Sequence, residues 1–117
     1  MPVFSKAPAD VVEAFTRAAE RIPDVQPRKM FGYPAAFTNT LMFACVFRDA
    51  IVLRLGDDDR EALRREGGRP FEPVPGRPMR EYLAVPDAMR ASPAVLTAWM
   101  KKAHAHTRTL PPKKPKK

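Results

Sequence analysis

Apolar positions recur along the chain with two different periods, and these divide it into helices and strands. Val11, Phe15, Ala18 and Ile22 fall every three or four residues, which predicts an amphipathic helix over about 9–21. Asp10 and Glu13 have the spacing of a capping box at its start, and Pro23 stops it. The period then shortens. Arg28 to Tyr33 reads as a short strand that Ala35 to Thr38 continues beyond a kink, with Thr38-Asn39-Thr40 as a turn, since asparagine tolerates left-handed backbone. Leu41 to Phe47 is apolar throughout, the pattern of a central strand covered on both faces. Arg48-Asp49-Ala50 connects it by a hairpin to 51–55, where odd positions are apolar and Arg54 faces out.

Beyond Gly56, Asp57-Asp58-Asp59 opens a second helix over about 60–66, and Gly67-Gly68 supplies the glycine that ends helices best. Residues 69–74 form a fourth strand with Phe71 inward, and 79–85 a fifth. Pro75-Gly76 between them has the central residues of a type II turn. Pro86-Asp87 begins a helical turn. Ser92-Pro93 is an N-cap followed by proline at the first helical position, and the last helix runs to about His104, with Leu96, Trp99, Met100 and Ala103 on one stripe. The order is α-β(3)-α-β(2)-α with hairpins rather than crossovers. The expected fold is therefore α+β: two layers, an antiparallel sheet of about five strands, and helices on one face. Helices on one face leave the other side of 41–47 uncovered, and a homodimer is one way to cover it.

Three segments in this order carry a resemblance: KMFGYPAAFTNTLMFACVFRDAIVLRL, GGRPFEPVPGRPMREYLAVP and SPAVLTAWMKKA. Together they resemble the N-terminal domain of the TfoX/Sxy family over about residues 10–105. The most specific pieces are Lys29-Met30-Phe31-Gly32 and Gly76-Arg77-Pro78-Met79 followed by Tyr82. The resemblance implies a two-layer α+β domain and a role in regulation. Named members regulate natural competence together with a cyclic-AMP receptor protein, and carry a further C-terminal helical domain where this sequence ends in PPKKPKK. The family supplies no catalytic residues to carry over.

Composition adds a boundary and a charge map. A chain of 117 residues with 44% apolar content fits one domain and one core. One cysteine excludes an internal disulfide and a thiolate zinc site, and a cytoplasmic location is expected. The longest apolar run has seven residues, too short to span a membrane. The net charge of +8 is unevenly placed. Residues 101–117 hold seven of the 21 Lys and Arg and none of the 13 Asp and Glu, so the first hundred residues are nearly neutral. The domain is expected over 1–107, with 108–117 as a basic, Pro/Lys-rich disordered tail.

Candidate chemistry is sparse. Asp57, Asp58 and Asp59 lack the glycine and distal glutamate of a calcium loop and suit a helix N-terminus instead. His104 and His106, two apart, fall on opposite sides of a helix and are expected at a solvated helix end. Cys45 sits inside the apolar strand, where burial quiets its chemistry. No catalytic residue, metal site or cofactor is expected. Lys29, Tyr33, Arg77, Arg80 and Tyr82 form a candidate surface for a partner protein on the sheet. Lys113, Lys114, Lys116 and Lys117 are candidates for weak, nonspecific nucleic-acid contact. Met30, Phe31, Gly32 and Pro34 are expected as a structural bend that turns apolar side chains inward. The leading expectation is a non-enzymatic binding or regulatory domain acting through protein contact. A nucleic-acid-associated accessory protein using its tail comes second, and an enzyme third.

Overall fold

The computed structural model describes residues 8–110 apart from 31 and 75, and leaves the side chains of 73, 74, 77, 78, 80 and 90 outside the description. The elements are α1 (Ala9–Glu20), β1 (Gln26–Met30), β2 (Tyr33–Thr38), β3 (Leu41–Phe47), β4 (Ala50–Arg54), α2 (Asp57–Arg65), β5 (Arg69–Val74), β6 (Arg77–Ala84), α3 (Asp87–Arg90) and α4 (Pro93–Arg108). The six strands form one antiparallel sheet in the order β1-β2-β3-β4-β6-β5, and the helices pack on it. The expected α+β class stands. A sixth strand appears because KMFGYP is a hairpin: Met30 pairs with Tyr33, so only two residues lie between β1 and β2.

Gly32 is the described residue of that connection and has φ +80, backbone that glycine enters without cost. Pro34 follows, and the β2–β3 pairing ends at Ala35–Cys45, one residue short of the proline that has no N–H to give. The bend expected of Gly32 and Pro34 is thus a reversal of the chain. Phe31 lies outside the described residues.

Helix ends show which sequence signals operate. Ser92 caps α4, its Oγ accepting from the Val95 N–H at 3.5 Å, with Pro93 at the first position. α2 closes with the Gly67 N–H donating to Arg64 O (3.1 Å) and the Gly68 N–H to Leu63 O (2.8 Å), the bond pair of a Schellman motif. Gly67 supplies φ +106, and a β-carbon on Gly68 would lie 2.9 Å from Leu63 O. The capping box expected at α1 does not form. Pro8 occupies the N-cap without a side-chain bond, and Glu13 pairs with Arg17 across one turn at 3.3 Å.

Val11, Phe15, Ala18, Leu63, Leu96, Met100 and Ala103 of the helices bury against Phe43, Val46, Ile51, Leu53 and Leu83 of the sheet. A β-bulge organises β3. Ala36 pairs with Ala44 and Phe37 with Met42, so Phe43 is the extra residue. Consequently Phe43 and Ala44 both face the helices, while Met42 and Cys45 face away. That other face has its own cluster of Ala35, Met42, Cys45, Val52, Phe71, Tyr82 and Ala84.

Two turns carry testable strain. Gly32 has open space around a would-be β-carbon, so substitution there acts through φ alone. Gly32→Val should cost about 1–2 kcal/mol in urea unfolding, and Gly32→Asn markedly less, because asparagine tolerates this region. Equal costs would mean the turn is not the source. Thr40, a β-branched residue at φ 67 beside Asn39 at φ 54, is strained in the same way. Thr40→Gly should stabilise by about 0.5–1 kcal/mol, seen as a raised urea midpoint with unchanged slope.

Candidate functional site

The helix-free face of the sheet is closed by the chain's own rings. Phe47, Phe71 and Tyr82 follow one another with ring centres 5.3 and 6.2 Å apart, and Tyr33, which belongs to the helix-side core cluster, meets Phe47 at 5.6 Å. Phe47 stands on β3 and Phe71 on β5, three strands apart, which in a flat sheet separates their backbones by about 14 Å. Their rings meet because the sheet curls over this face, and the register shifts on either side of Phe71 supply the bend in β5. Arginines then cover the rings. The Arg28, Arg48 and Arg54 guanidinium carbons lie 5.3, 5.5 and 5.6 Å from the ring centres of Phe37, Phe47 and Tyr82. Arg54 also donates to Glu81 Oε1 at 2.9 and 3.1 Å.

The curl removes the two reactive groups of this face from chemistry. Cys45 is 1% exposed, and burial pushes its thiol from 9.0 up to about 12, so the thiolate is absent at neutral pH. Tyr82 is 7% exposed, and its hydroxyl donates to Met42 O at 3.0 Å. Burial raises the pKa of Tyr82, with nearby Arg54 pulling the other way.

The candidate partner surface divides accordingly. Tyr33, 4% exposed, is buried against Phe47 and the helix-side core, and Tyr82 lies under Arg54. Lys29 is exposed on β1 at one edge of the sheet. Arg77 and Arg80 lie on β6, next to the opposite edge, and their side chains fall outside the described residues. Lys113, Lys114, Lys116 and Lys117 also fall outside them. Lys29 and β6 are four strands apart, so the fold does not gather the five residues at one spot.

Sequence reasoning missed the groove beside β1. It has a volume of about 490 Å³ and lies between the C-terminal half of α1 and the β1–β2 hairpin. Phe15, Ala19, Ile22, Val25, Pro27 and Pro34 give it apolar walls, and Glu20, Asp24 and Arg28 also line it. Phe15 and Ile22 were recognisable as a helix face. The additional signal was Ala19 and Val25, which widen that stripe past what the sheet covers. Asp24 is held by Arg108 at 3.5 Å.

The remaining candidates have structural roles. Asp57 pairs with Arg60, and Asp59 approaches Lys102 at 3.9 Å, so these acids of the first turn of α2 serve its end and its packing. Among the described residues no group of three or more His, Cys, Asp or Glu is placed to hold a metal ion. His104 corrects the expectation of a solvated helix end. α4 continues to Arg108, and His104 is 7% exposed, edge-on to Phe43 at 5.1 Å. Among the described residues no helix is long and apolar enough to cross a membrane.

An antiparallel sheet layered with helices, with one edge strand beside an apolar groove, defines an α+β domain. The chain belongs to the TfoX N-terminal domain family, which it matches over residues 17–107. That family is not a known family of enzymes. No curated protein matches the chain.

The thiol gives a pH signature. With a folded pKa raised above the ordinary 9.0, Cys45 ionises first in the unfolded chain, so its contribution to stability is intact below that value and is lost as pH rises toward about 12. The loss approaches about 1.4 kcal/mol per pH unit, and Tyr82 adds its own above its ordinary 10.0. Urea midpoints of the wild type should fall between about pH 9 and pH 10, and those of Cys45→Ala should fall less steeply. Parallel slopes for the two proteins would contradict burial of the thiol.

Proposed function

We propose that the chain is a non-enzymatic binding domain that acts in the cytoplasm through protein contact, in a regulatory setting of the kind the TfoX family implies. The observation that carries this reading is the edge strand β1, four of whose five residues are exposed and which no described strand flanks on its outer side, set beside an apolar groove. Edge strands are normally blunted, because their free N–H and C=O groups pair with other chains. The burial of Cys45 and Tyr82 supports the same reading, since the two groups on the ringed face that could exchange protons or attack a substrate are engaged in packing.

The basic segment at 113–117 lies outside the described residues and fits an auxiliary electrostatic role, weakening steeply as salt rises. The test is crosslinking in the native cell with mass-spectrometric identification, run beside a screen of the purified chain against metabolite pools. Recovery of the same protein partner in independent preparations, with the metabolites unchanged, is expected. Reproducible conversion of a metabolite with no partner recovered would overturn the proposal. Duplex DNA titrated against the chain at two salt levels should show only weak, salt-labile binding.

A further inference from the structure

We infer that β1 takes an extended segment of a partner protein as a seventh strand, and that this segment carries an acidic and an apolar residue two positions apart. The inference rests on the protein-contact reading above and names its ligand. It begins with register. In a two-residue hairpin the pair flanking the turn exchanges both backbone hydrogen bonds, and pairs then alternate. Met30–Tyr33 is that pair, so Met30, Arg28 and Gln26 turn their backbone groups toward β2. Lys29 and Pro27 turn theirs outward. The free edge therefore offers the Lys29 N–H and C=O and the Pro27 C=O, while proline contributes no donor.

Side-chain direction supplies the specificity. Arg28 stacks on Phe37 and Met30 packs with the second cluster, so both belong to the ringed face. Alternation then puts Pro27 and Lys29 on the helix side, where Pro27 lines the groove. A strand added at this edge would place one side chain opposite Lys29 and the next on the same side opposite Pro27, above Phe15, Ala19, Ile22 and Val25. Lys29 has no ion-pair partner among the described residues, and a carboxylate opposite it would complete a cross-strand charge pair. The neighbouring apolar side chain would fill the groove.

A second copy of this chain fits the same edge poorly. Two β1 strands related by a twofold would meet with Lys29 facing Lys29, like charges directly opposite, or with Lys29 facing Pro27, where half of the hydrogen bonds have no donor. The opposite edge is defended differently. β5 carries Pro70 and Pro73 and two register shifts, features that blunt an edge. Strand addition on β1 would extend a sheet that already has its helix layer, the arrangement used by edge-binding peptide domains.

The test uses the full chain and blocked octapeptides of alternating Val and Thr, with Glu and Ile two apart on one face, against a version with Lys in place of Glu. Binding is followed by amide resonances and hydrogen exchange. The Glu peptide should bind with a Kd of tens to hundreds of micromolar and protect the Lys29 amide at least tenfold. Lys29→Glu should weaken the Glu peptide about tenfold and favour the Lys peptide, while Arg65→Glu, exposed on α2 and outside the groove, changes either by less than threefold. Binding without protection of the Lys29 amide, or indifference to the charge swap, would overturn the inference. So would a concentration-dependent dimer that protects the same amide without peptide. If the partner crosslinked in the cell binds Lys29→Glu as well as wild type, the edge assignment fails while the protein-contact reading stands.

Discussion

A strand with apolar side chains on both faces has to be covered twice, and β3 sets that requirement for the whole molecule. Its bulge sends Phe43 and Ala44 together toward the helices, next to Val46, and leaves Met42 and Cys45 on the other side. The helices satisfy the first set. The second set is satisfied by the sheet itself, which curls until Phe71 of β5 meets Phe47 of β3. The bulges in β2–β3 and β5–β6, the ring series and the arginines above it all follow from covering that second face without a second layer of helices. The need for a second copy of the chain to supply this cover disappears, because Cys45 and Val52 are already sealed within one molecule.

Because the ringed face is consumed by packing, the exposed features of the sheet lie at its periphery. The tyrosines and the thiol sit within van der Waals reach of their neighbours, and the Tyr82 hydroxyl is satisfied by a backbone carbonyl. Arginine planes over the rings keep apolar surface away from water while presenting charge outside. At β1 the balance is different. A short strand with one proline and two adjacent cations stands beside a wall of α1 that the sheet leaves partly uncovered.

Much of this was legible in the amino-acid sequence, and the misses have physical causes. The helices were visible from apolar spacing, and the Ser92-Pro93 cap and Gly67-Gly68 stop sit where those residues demand. The β1–β2 hairpin was read as one kinked strand, since a glycine after an aromatic residue suits a bulge as well as a two-residue turn, and only pairing decides between them. The sequence groups Tyr33 and Tyr82 with nearby cations as a candidate partner surface, but one well-placed acceptor, Met42 O, allows Tyr82 to be buried. His104 was placed at a frayed end because the apolar stripe fades near Ala103; the helix continues one turn on packing against Phe43. The curl itself has no local signal. It depends on residues far apart in sequence and appears only when the strand order is known. The groove was half legible, in a helix stripe broader than its partner sheet.

The long reach of the second cluster sets an order of events during synthesis. Met42 emerges from the ribosome 40 residues ahead of Tyr82, whose hydroxyl will meet its carbonyl. At roughly 5–20 residues per second, β3 and β4 wait on the order of 2–8 s with one apolar face unroofed. During that interval the nascent chain carries β1 to β4 as a meander with one apolar face open, and the short β2–β3 and β3–β4 connections pair the strands early so that the backbone groups of β3 are occupied while the rings of Phe71 and Tyr82 are still being made.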